Sequence, residues 1–468
     1  MKASRASRLF LVAAVVAGPG ALSAQGFGLN EIGSCAIGRA FATTASPCRD
    51  ASAIYWNPAT TTALTGWSVV AGVTSISLKG DFKQDTTGRS WDADVPTQWV
   101  PHVFVNYHPT NGKFAIGVGA YVPYGLTSQW TDSFPGRFSA KKATLQDLYI
   151  QPNVAWQINP DWSIGGGPIY GHSSVELIQA IDLSTVPLPT GGTFGLLGIP
   201  TGTEFARARL KGSASGWGAQ VAIAGQFNKT WFVGARYLTA INFKYDDADA
   251  TFTQVPTGLT VGGTLQPPFV AGTPVDAIVA PQFSSGGALV AQKVATEIKN
   301  PAQFQAGIGY AGLKNWLLEA DYQWVGWSSF ESLPINFQGP ASIENRTLIE
   351  DYTNTSGIRL GAEYTIPTDG WKLRAGFAAA QAAAPDVTVT PLLPDQDRQY
   401  GTFGIGTPLW NKMLSLDASY AHVFTPGRRG RIAERSNVSN TSATAAQLNT
   451  GVFDLSANIF SITLKANF

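Results

Sequence analysis

Asn458-Ile459-Phe460-Ser461-Ile462-Thr463-Leu464-Lys465-Ala466-Asn467-Phe468 closes the sequence and carries its clearest structural pattern. From Phe460 onward every second residue is apolar, so one face of a strand meets a greasy environment and the other a wet one. A terminal aromatic on such a strand is the usual close of a bacterial outer-membrane barrel, although an edge strand of a soluble sandwich alternates in the same way. Just upstream the phase changes: Phe453, Leu455 and Ala457 are odd-numbered, whereas Phe460, Ile462 and Leu464 are even. A β-bulge near Ile459 would reconcile the two halves.

The other end of the chain separates these readings. Lys2, Arg5 and Arg8 precede an apolar run over Leu9 to Val16 and a small-residue zone at Ala21-Leu22-Ser23-Ala24, the pattern of a secretory signal peptide, with cleavage expected after Ala24 and after Ser23 as the alternative. Without residues 1–24, 29 of the 32 Lys and Arg remain against 31 Asp and Glu, a balance near −2 that gives no reason to expect nucleic acid. No later stretch reaches the ~18 continuous apolar residues of a membrane-spanning helix. Charged residues are only 13% of the chain, about half the usual share of soluble domains, and 14 Trp, 14 Tyr and 25 Phe accompany 50 Gly. Low charge with abundant aromatics fits strands that face lipid and are girdled at both interfaces.

Fourteen strands are predicted, near 66–83, 99–108, 113–126, 147–158, 162–178, 209–227, 231–246, 297–311, 316–331, 353–366, 371–384, 397–407, 412–424 and 453–468. Compact turns such as Pro109-Thr110-Asn111-Gly112, Asn159-Pro160-Asp161 and Asn228-Lys229-Thr230 alternate with long connections, the longest at 247–296 and 425–452. Short turns on one rim and long loops on the other are the rhythm of an even-stranded transmembrane antiparallel β-barrel. In 315–324 Trp316, Leu318, Ala320, Tyr322 and Trp324 alternate with Asn315, Glu319, Asp321 and Gln323; carboxylates are costly in lipid, so Glu319 and Asp321 help orient this strand with its polar side towards a lumen.

Residues 25–60 lack any period of two. They are either a disordered lead or a plug, and Phe27, Leu29, Ile32, Ile37, Phe41, Ile54, Tyr55 and Trp56 favour the plug because they need burial. The organisation is therefore a signal peptide over 1–24, an N-terminal hatch over 25–60 and a barrel over 61–468.

Gly26-Phe27-Gly28-Leu29-Asn30-Glu31, Gly38-Arg39-Ala40, Asp50-Ala51-Ser52 and Asn57-Pro58-Ala59 resemble the hatch of FadL/TodX proteins, outer-membrane channels for long-chain fatty acids and aromatic hydrocarbons. Val122-Pro123-Tyr124-Gly125-Leu126, Trp327-Ser328-Ser329-Phe330 and Pro394-Asp395-Gln396-Asp397-Arg398 extend the resemblance in order. It implies a ligand captured in a groove of the outer loops, an apolar internal pocket, a hatch that shifts, and exit through a side opening made by a kink in the third strand. No cofactor or metal is implied, and the expected partners are the hydrophobic ligand, outer-membrane lipid, lipopolysaccharide and, through the C-terminal strand, the barrel-assembly machinery. The channel is expected to be a monomer.

On that reading Trp130, Phe134 and Phe138 in one loop, with Phe194, Leu196, Leu197 and Ile199 in another, are capture candidates; the alternative is that they pack the loops together. Pro123 removes a ladder donor inside a good strand, marking a wall break or merely the strand end, with Tyr121 and Tyr124 as lining candidates. Phe27, Asn30, Glu31, Arg39, Asp50, Asn57 and Pro58 are the gating candidates, with Arg39 and Asp50 expected to face the lumen as a pair. Arg207, Arg209 and Lys211 alternate and share one face, either towards an anionic headgroup or at a solvated strand entrance. Cys35 and Cys48 are the only cysteines, and in an oxidising periplasm a disulfide is the default. His102, His108, His172 and His422 are scattered, and His172 and Ser173 point to opposite faces of a strand, so no enzyme is indicated. The competing functions are a surface adhesin or phage receptor on the same barrel, and a general porin.

Overall fold

Fourteen strands, each antiparallel to its neighbours, close into a barrel in the computed structural model, which describes residues 26–188, 191–262, 270–340, 345–409, 413–432 and 448–468. The signal peptide expected over 1–24 lies outside the described residues. The strands are β1 (Gly66–Gln84), β2 (Gln98–His108), β3 (Phe114–Gln129), β4 (Lys142–Asn159), β5 (Trp162–Asp182), β6 (Glu204–Phe227) and β7 (Trp231–Leu238 continued by Ile241–Gln254). They continue as β8 (Gln292–Asn300 and Gln303–Tyr310), β9 (Trp316–Val325), β10 (Thr355–Thr365), β11 (Lys372–Ala380), β12 (Arg398–Leu409), β13 (Leu414–Phe424) and β14 (Gly451–Asn467). The break in β8 falls at Pro301, which has no N–H for the ladder.

Closure is the pairing of β1 with β14, unbroken from Ser68↔Asn467 to Gln84↔Gly451. The bulge expected near Ile459 is absent. Odd-numbered residues of β14 face inward along its whole length, with Phe453 and Ile459 at 0% and 1% exposure and Ser461 and Thr463 both at 2%. Phe460, Ile462 and Leu464, the even residues, are 46–56% exposed on the outer face. The change of phase in the sequence is therefore a change in chemistry on each side of a regular strand.

The rim carrying the short turns is belted by aromatic pairs across neighbouring strands: Trp67 with Tyr107, Phe114 with Trp156, Trp162 with Phe227, Trp231 with Tyr310 and Trp316 with Tyr364. Such girdles sit at the interface between hydrocarbon and water. On the opposite rim β4 to β8 rise beyond the expected ends: β4 begins at Lys142 rather than 147, β6 at Glu204 rather than 209, β7 runs to Gln254 rather than 246, and β8 begins at Gln292 rather than 297. Arg209 pairs with Glu176 and Arg207 with Glu204 on the outer face there, so these strands stand in water and lose the alternation that lipid imposes.

Residues 26–63 fill the lumen as two short helices, α1 (Ser34–Gly38) and α2 (Ala53–Trp56), followed by a 3-10 turn over Pro58–Ala63. Asn57 starts that turn, its Oδ1 accepting from Ala59 N at 3.1 Å with Pro58 at the first position, where a missing N–H is harmless. Helix α1 lies directly on β12: a Cβ on Gly38 would stand 3.0 Å from the Gly404 Cα, so this approach needs two glycines. Cys35 and Cys48 are disulfide-bonded within the hatch.

Candidate ligand pathway

Short irregular segments leave many amides without intrahelical or ladder partners, and inside the barrel the wall supplies them. It does so with carboxylates. Asp321 Oδ2 accepts from Thr43 N and Thr44 N, both at 2.9 Å, and Glu319 Oε1 accepts from Ala45 N at 2.7 Å and Ser46 N at 3.0 Å. Arg359 donates to Asn30 Oδ1 at 2.8 Å and to Phe41 O at 3.3 Å, with its guanidinium 5.7 Å from the rings of both Phe41 and Trp56. Asn57 Nδ2 ties the carbonyl of Thr44 at 2.7 Å to that of Ile223 on β6 at 3.1 Å. Arg39 and Asp50 are not paired with each other: Arg39 meets Glu319 at 3.7 Å, and Asp50 meets Lys465 of β14 at 3.5 Å. Arg39 and Asp50 thus each find a wall charge, because both sides of the interface are buried there and neither can be left alone.

Above the hatch the wall is incomplete. β2 and β3 pair only from Val103↔Ala120 to Tyr107↔Ile116, although β2 continues to Gln98 along β1 and β3 continues to Gln129 along β4. One extra residue in β3 between Tyr121 and Tyr124 shifts its register on β4 and turns its upper half away from β2. Pro123 sits in this bulge. The freed edge is taken up by the hatch: Leu29 N donates to Pro123 O at 2.8 Å and Gly125 N to Phe27 O at 2.9 Å. The gap is rimmed by Gln98, Trp99 and Val100 on one side and Val122 and Gly125 on the other. Tyr121 and Tyr124 do not line it. Both rings turn inward, Tyr121 bonding Gln151 at 2.5 Å and Tyr124 bonding Pro301 O at 2.8 Å, and they brace the hatch at Tyr55 and Phe27.

A cavity of about 440 Å³ joins this gap to the interior. Its floor is Gly26, Leu29 and Glu31 of the hatch, and Ile76, Leu126, Leu145, Val175, Leu455 and Ile459 are among its apolar walls. An annex of about 100 Å³ shares Leu126, Leu145 and Leu393 and adds Phe27, Ile298, Phe330, Leu333 and Ile335. Burial pushes the Glu31 carboxyl up from its ordinary value, against the opposing pull of Arg398 and Arg359.

The capture candidates divide between two places. Trp130 and Phe134 stack at 4.4 Å beside Phe82 and Phe453, buried in the main core, and Phe138 lies under Arg137. Phe194, Leu197 and Ile199 belong to a second apolar cluster with Leu183, Phe205, Val275 and Val279. Leu196 alone of the seven stands out, 74% exposed. Arg209 and Lys211 are exposed, Arg209 pairing with Glu176, and Lys211 borders both the cavity and its annex. Ser173 points inward to Asp147 and Tyr245, while its neighbour His172 points out.

Sequence reasoning missed the connection over 381–397, which folds into the barrel and roofs the cavity with Leu392 and Leu393; its apolar Val389, Leu392 and Leu393 in an otherwise long loop were the available signal. It also missed the hairpin formed by Ser332–Phe337 and Arg346–Ile349, whose Leu333 and Ile335 line the annex.

Residues 14–468 match the family described as outer membrane protein transport protein (OMPP1/FadL/TodX). The 47 kDa outer membrane protein of Pasteurella multocida is 25% identical over 96% of this chain and 97% of its own length. The long-chain fatty acid transport protein of Escherichia coli O6:H1 is 26% identical over 85% of this chain and 86% of its own. Among solved structures, a Pseudomonas aeruginosa FadL homologue superposes with a TM-score of 0.77 at 20% identity, over 95% of this chain and all of the other. The toluene transporter TodX of Pseudomonas putida does so with 0.66 at 14% identity, over 96% and 99%.

Proposed function

Because the chain belongs to the OMPP1/FadL/TodX family of outer-membrane transport proteins, we propose that it is a passive channel for hydrophobic compounds, long-chain fatty acids or aromatic hydrocarbons, with a lateral exit into the membrane. The protein is an outer-membrane β-barrel of a family that transports fatty acids and hydrocarbons, and it is not an enzyme. The single observation that carries the route is the missing ladder between β2 and β3, which opens the apolar cavity sideways above the hatch. A ligand crossing a wide aqueous pore would lose ~0.8 kcal/mol per methylene exposed to water, so a side exit from an apolar cavity is the economical path.

Ligand first meets the outer loops around Leu196, then enters the cavity over Leu29 and Glu31. A local shift of the hatch frees the gap between Val100 and Val122. No energy source is required, and a single copy of the chain contains the whole route. The C-terminal strand presents the chain to the barrel-assembly machinery, and lipopolysaccharide surrounds the outer rim.

Deleting Pro123 removes the extra residue of the β3 bulge on β4, and the restored register should let the strand pair with β2 beyond Ala120. Cells carrying that variant should take up labelled oleate or toluene at least about tenfold more slowly, a change of about 1.4 kcal/mol in the exit barrier. Unchanged uptake at equal surface abundance would remove the lateral exit, and failure of the parent chain to take up either compound would remove the channel reading itself.

A further inference from the structure

The segment Pro394-Asp395-Gln396-Asp397-Arg398 contributes a polar patch to the cavity, whose lining mixes apolar residues with others such as Gln98, Gln146 and Lys211. Gln396 is 3% exposed, and neither its amide oxygen nor its amide nitrogen has a hydrogen-bond partner among the described residues. The Tyr352 hydroxyl and Asp395 Oδ1 are likewise buried and unpartnered, and all three residues line the cavity. Asp395 is not loose: its other oxygen accepts from Ala383 N at 2.7 Å and Ala384 N at 3.1 Å. The fold therefore fixes the carboxylate and leaves one oxygen free. An unpaired buried polar group costs about 1–3 kcal/mol, and three on one patch imply something that satisfies them.

The charges on the patch limit what that is. Arg398 donates to Gly26 O at 2.7 Å and stands within electrostatic reach of two carboxyl groups, Glu31 and Asp395, while Arg428 donates to Asp395 O at 3.5 Å and acts on the Tyr352 hydroxyl together with Glu350. Glu31, Asp395 and Glu350 offset these two guanidiniums, so the patch holds no surplus positive field for an anionic head. What remains is a mixed set: donors on Gln396 Nε2 and the Tyr352 hydroxyl, acceptors on Gln396 Oε1 and Asp395 Oδ1. A hydroxyl, which donates once and accepts as well, answers that set; a bare hydrocarbon answers none of it and a carboxylate meets an acidic face. Opposite the patch, Leu455 and Ile459 and the annex beside Phe330 and Ile335 offer room for an apolar body.

We propose that the cavity is a head-and-tail site for an uncharged hydroxylated hydrophobic compound, a phenol or a long-chain alcohol, whose hydroxyl is held by Gln396, Tyr352 and Asp395. This rests on the channel reading and narrows its substrate class. A site built to hydrogen-bond a hydroxyl rejects the analogue that lacks it, because its own buried groups then stay unpaired.

The test is calorimetric titration of the full chain in amphipol at pH 8 with three probes on one skeleton: 4-butylphenol, 4-butylbenzoate and butylbenzene. The phenol should bind at least about tenfold tighter than either of the others, the ratio that one or two satisfied hydrogen bonds supply. Gln396→Leu and Tyr352→Phe should each bring the phenol to butylbenzene ratio to within about threefold, as expected for loss of roughly one hydrogen bond. Tyr352→Phe keeps the ring and its packing, and heat-modifiable gel mobility checks that both variants are folded barrels. Equal binding of all three probes, tighter binding of the benzoate, or an unchanged ratio in both variants overturns the head-group site and leaves the channel intact. Absence of binding by all three overturns the channel reading as well.

Discussion

In the half of β14 nearest the chain end, Ser461, Thr463 and Lys465 face the lumen and Phe460, Ile462 and Leu464 face outward; in the other half Phe453, Leu455 and Ile459 face the lumen while Asp454 is exposed outside. Geometry is the same in both halves, and both sides of the strand exchange chemistry. Outside, the exchange follows the step from hydrocarbon to water. Inside, it follows the occupant. The hatch is backbone-rich and asks for Ser461, Thr463, Glu319 and Asp321; Ser34 N, for instance, donates to Thr463 Oγ1 at 3.0 Å. The cavity above is walled on this strand by Leu455 and Ile459. A lumen can be polar or apolar at any height, so an inward face is diagnosed by what it touches.

That contrast can be attacked from the plugged half first. Glu319→Ala with Asp321→Ala strips four amide contacts and leaves Arg39 without its partner, at about 1.5–3 kcal/mol for each charge-assisted bond. The hatch should unseat, and planar-bilayer recordings should show ion conductance that the parent lacks; a variant as silent as the parent would mean that these carboxylates do not hold the plug.

The outer faces give the next largest effect. Ile462→Lys places a charge against lipid and should destabilise the barrel by about 2–4 kcal/mol if it sits near the midplane, whereas Ser456→Lys on the same face six residues earlier should cost under about 1 kcal/mol. Urea unfolding in vesicles compares them directly, and equal losses would refute the outer inversion.

The smallest effect is at the boundary between hatch and cavity. Burial holds the Glu31 carboxyl above its ordinary value, so the folded state binds that proton more tightly than the unfolded chain does. Its contribution is fully present below the ordinary carboxyl range and is lost as pH rises through the raised value. Glu31→Gln should flatten the pH dependence of melting over that interval; an unaltered slope would assign it to other groups.

Much of this fold was legible. Alternation and turn residues located all fourteen wall strands, since a lipid-facing strand has no other way to be written. The upper ends of β4, β6, β7 and β8 were not, because in water Arg209 and Glu176 are as acceptable outward as any leucine. Hatch residues were found from unburied aromatics, but their partners were not: that Arg39 answers Glu319 and not Asp50 depends on a wall nearly three hundred positions away. At the wall break, Pro123 signalled the bulge while Tyr121 and Tyr124 misled, because a bulge rotates the residues beside it and period-two reasoning fails there. The head-group candidates were quoted only as part of a resemblance, since nothing in a loop sequence says that Gln396 is buried and unpaired.

The two hydrogen bonds joining Phe27 and Leu29 to the freed edge of β3 make the start of the described chain a substitute for wall. Hydrocarbon tolerates no open sheet edge, so the barrel is incomplete until that short segment has been threaded inside and laid along β3. The wall of this protein thus closes at two seams: one where β14 meets β1, and a second where residues 27–29 stand in for a neighbour that β2 no longer provides.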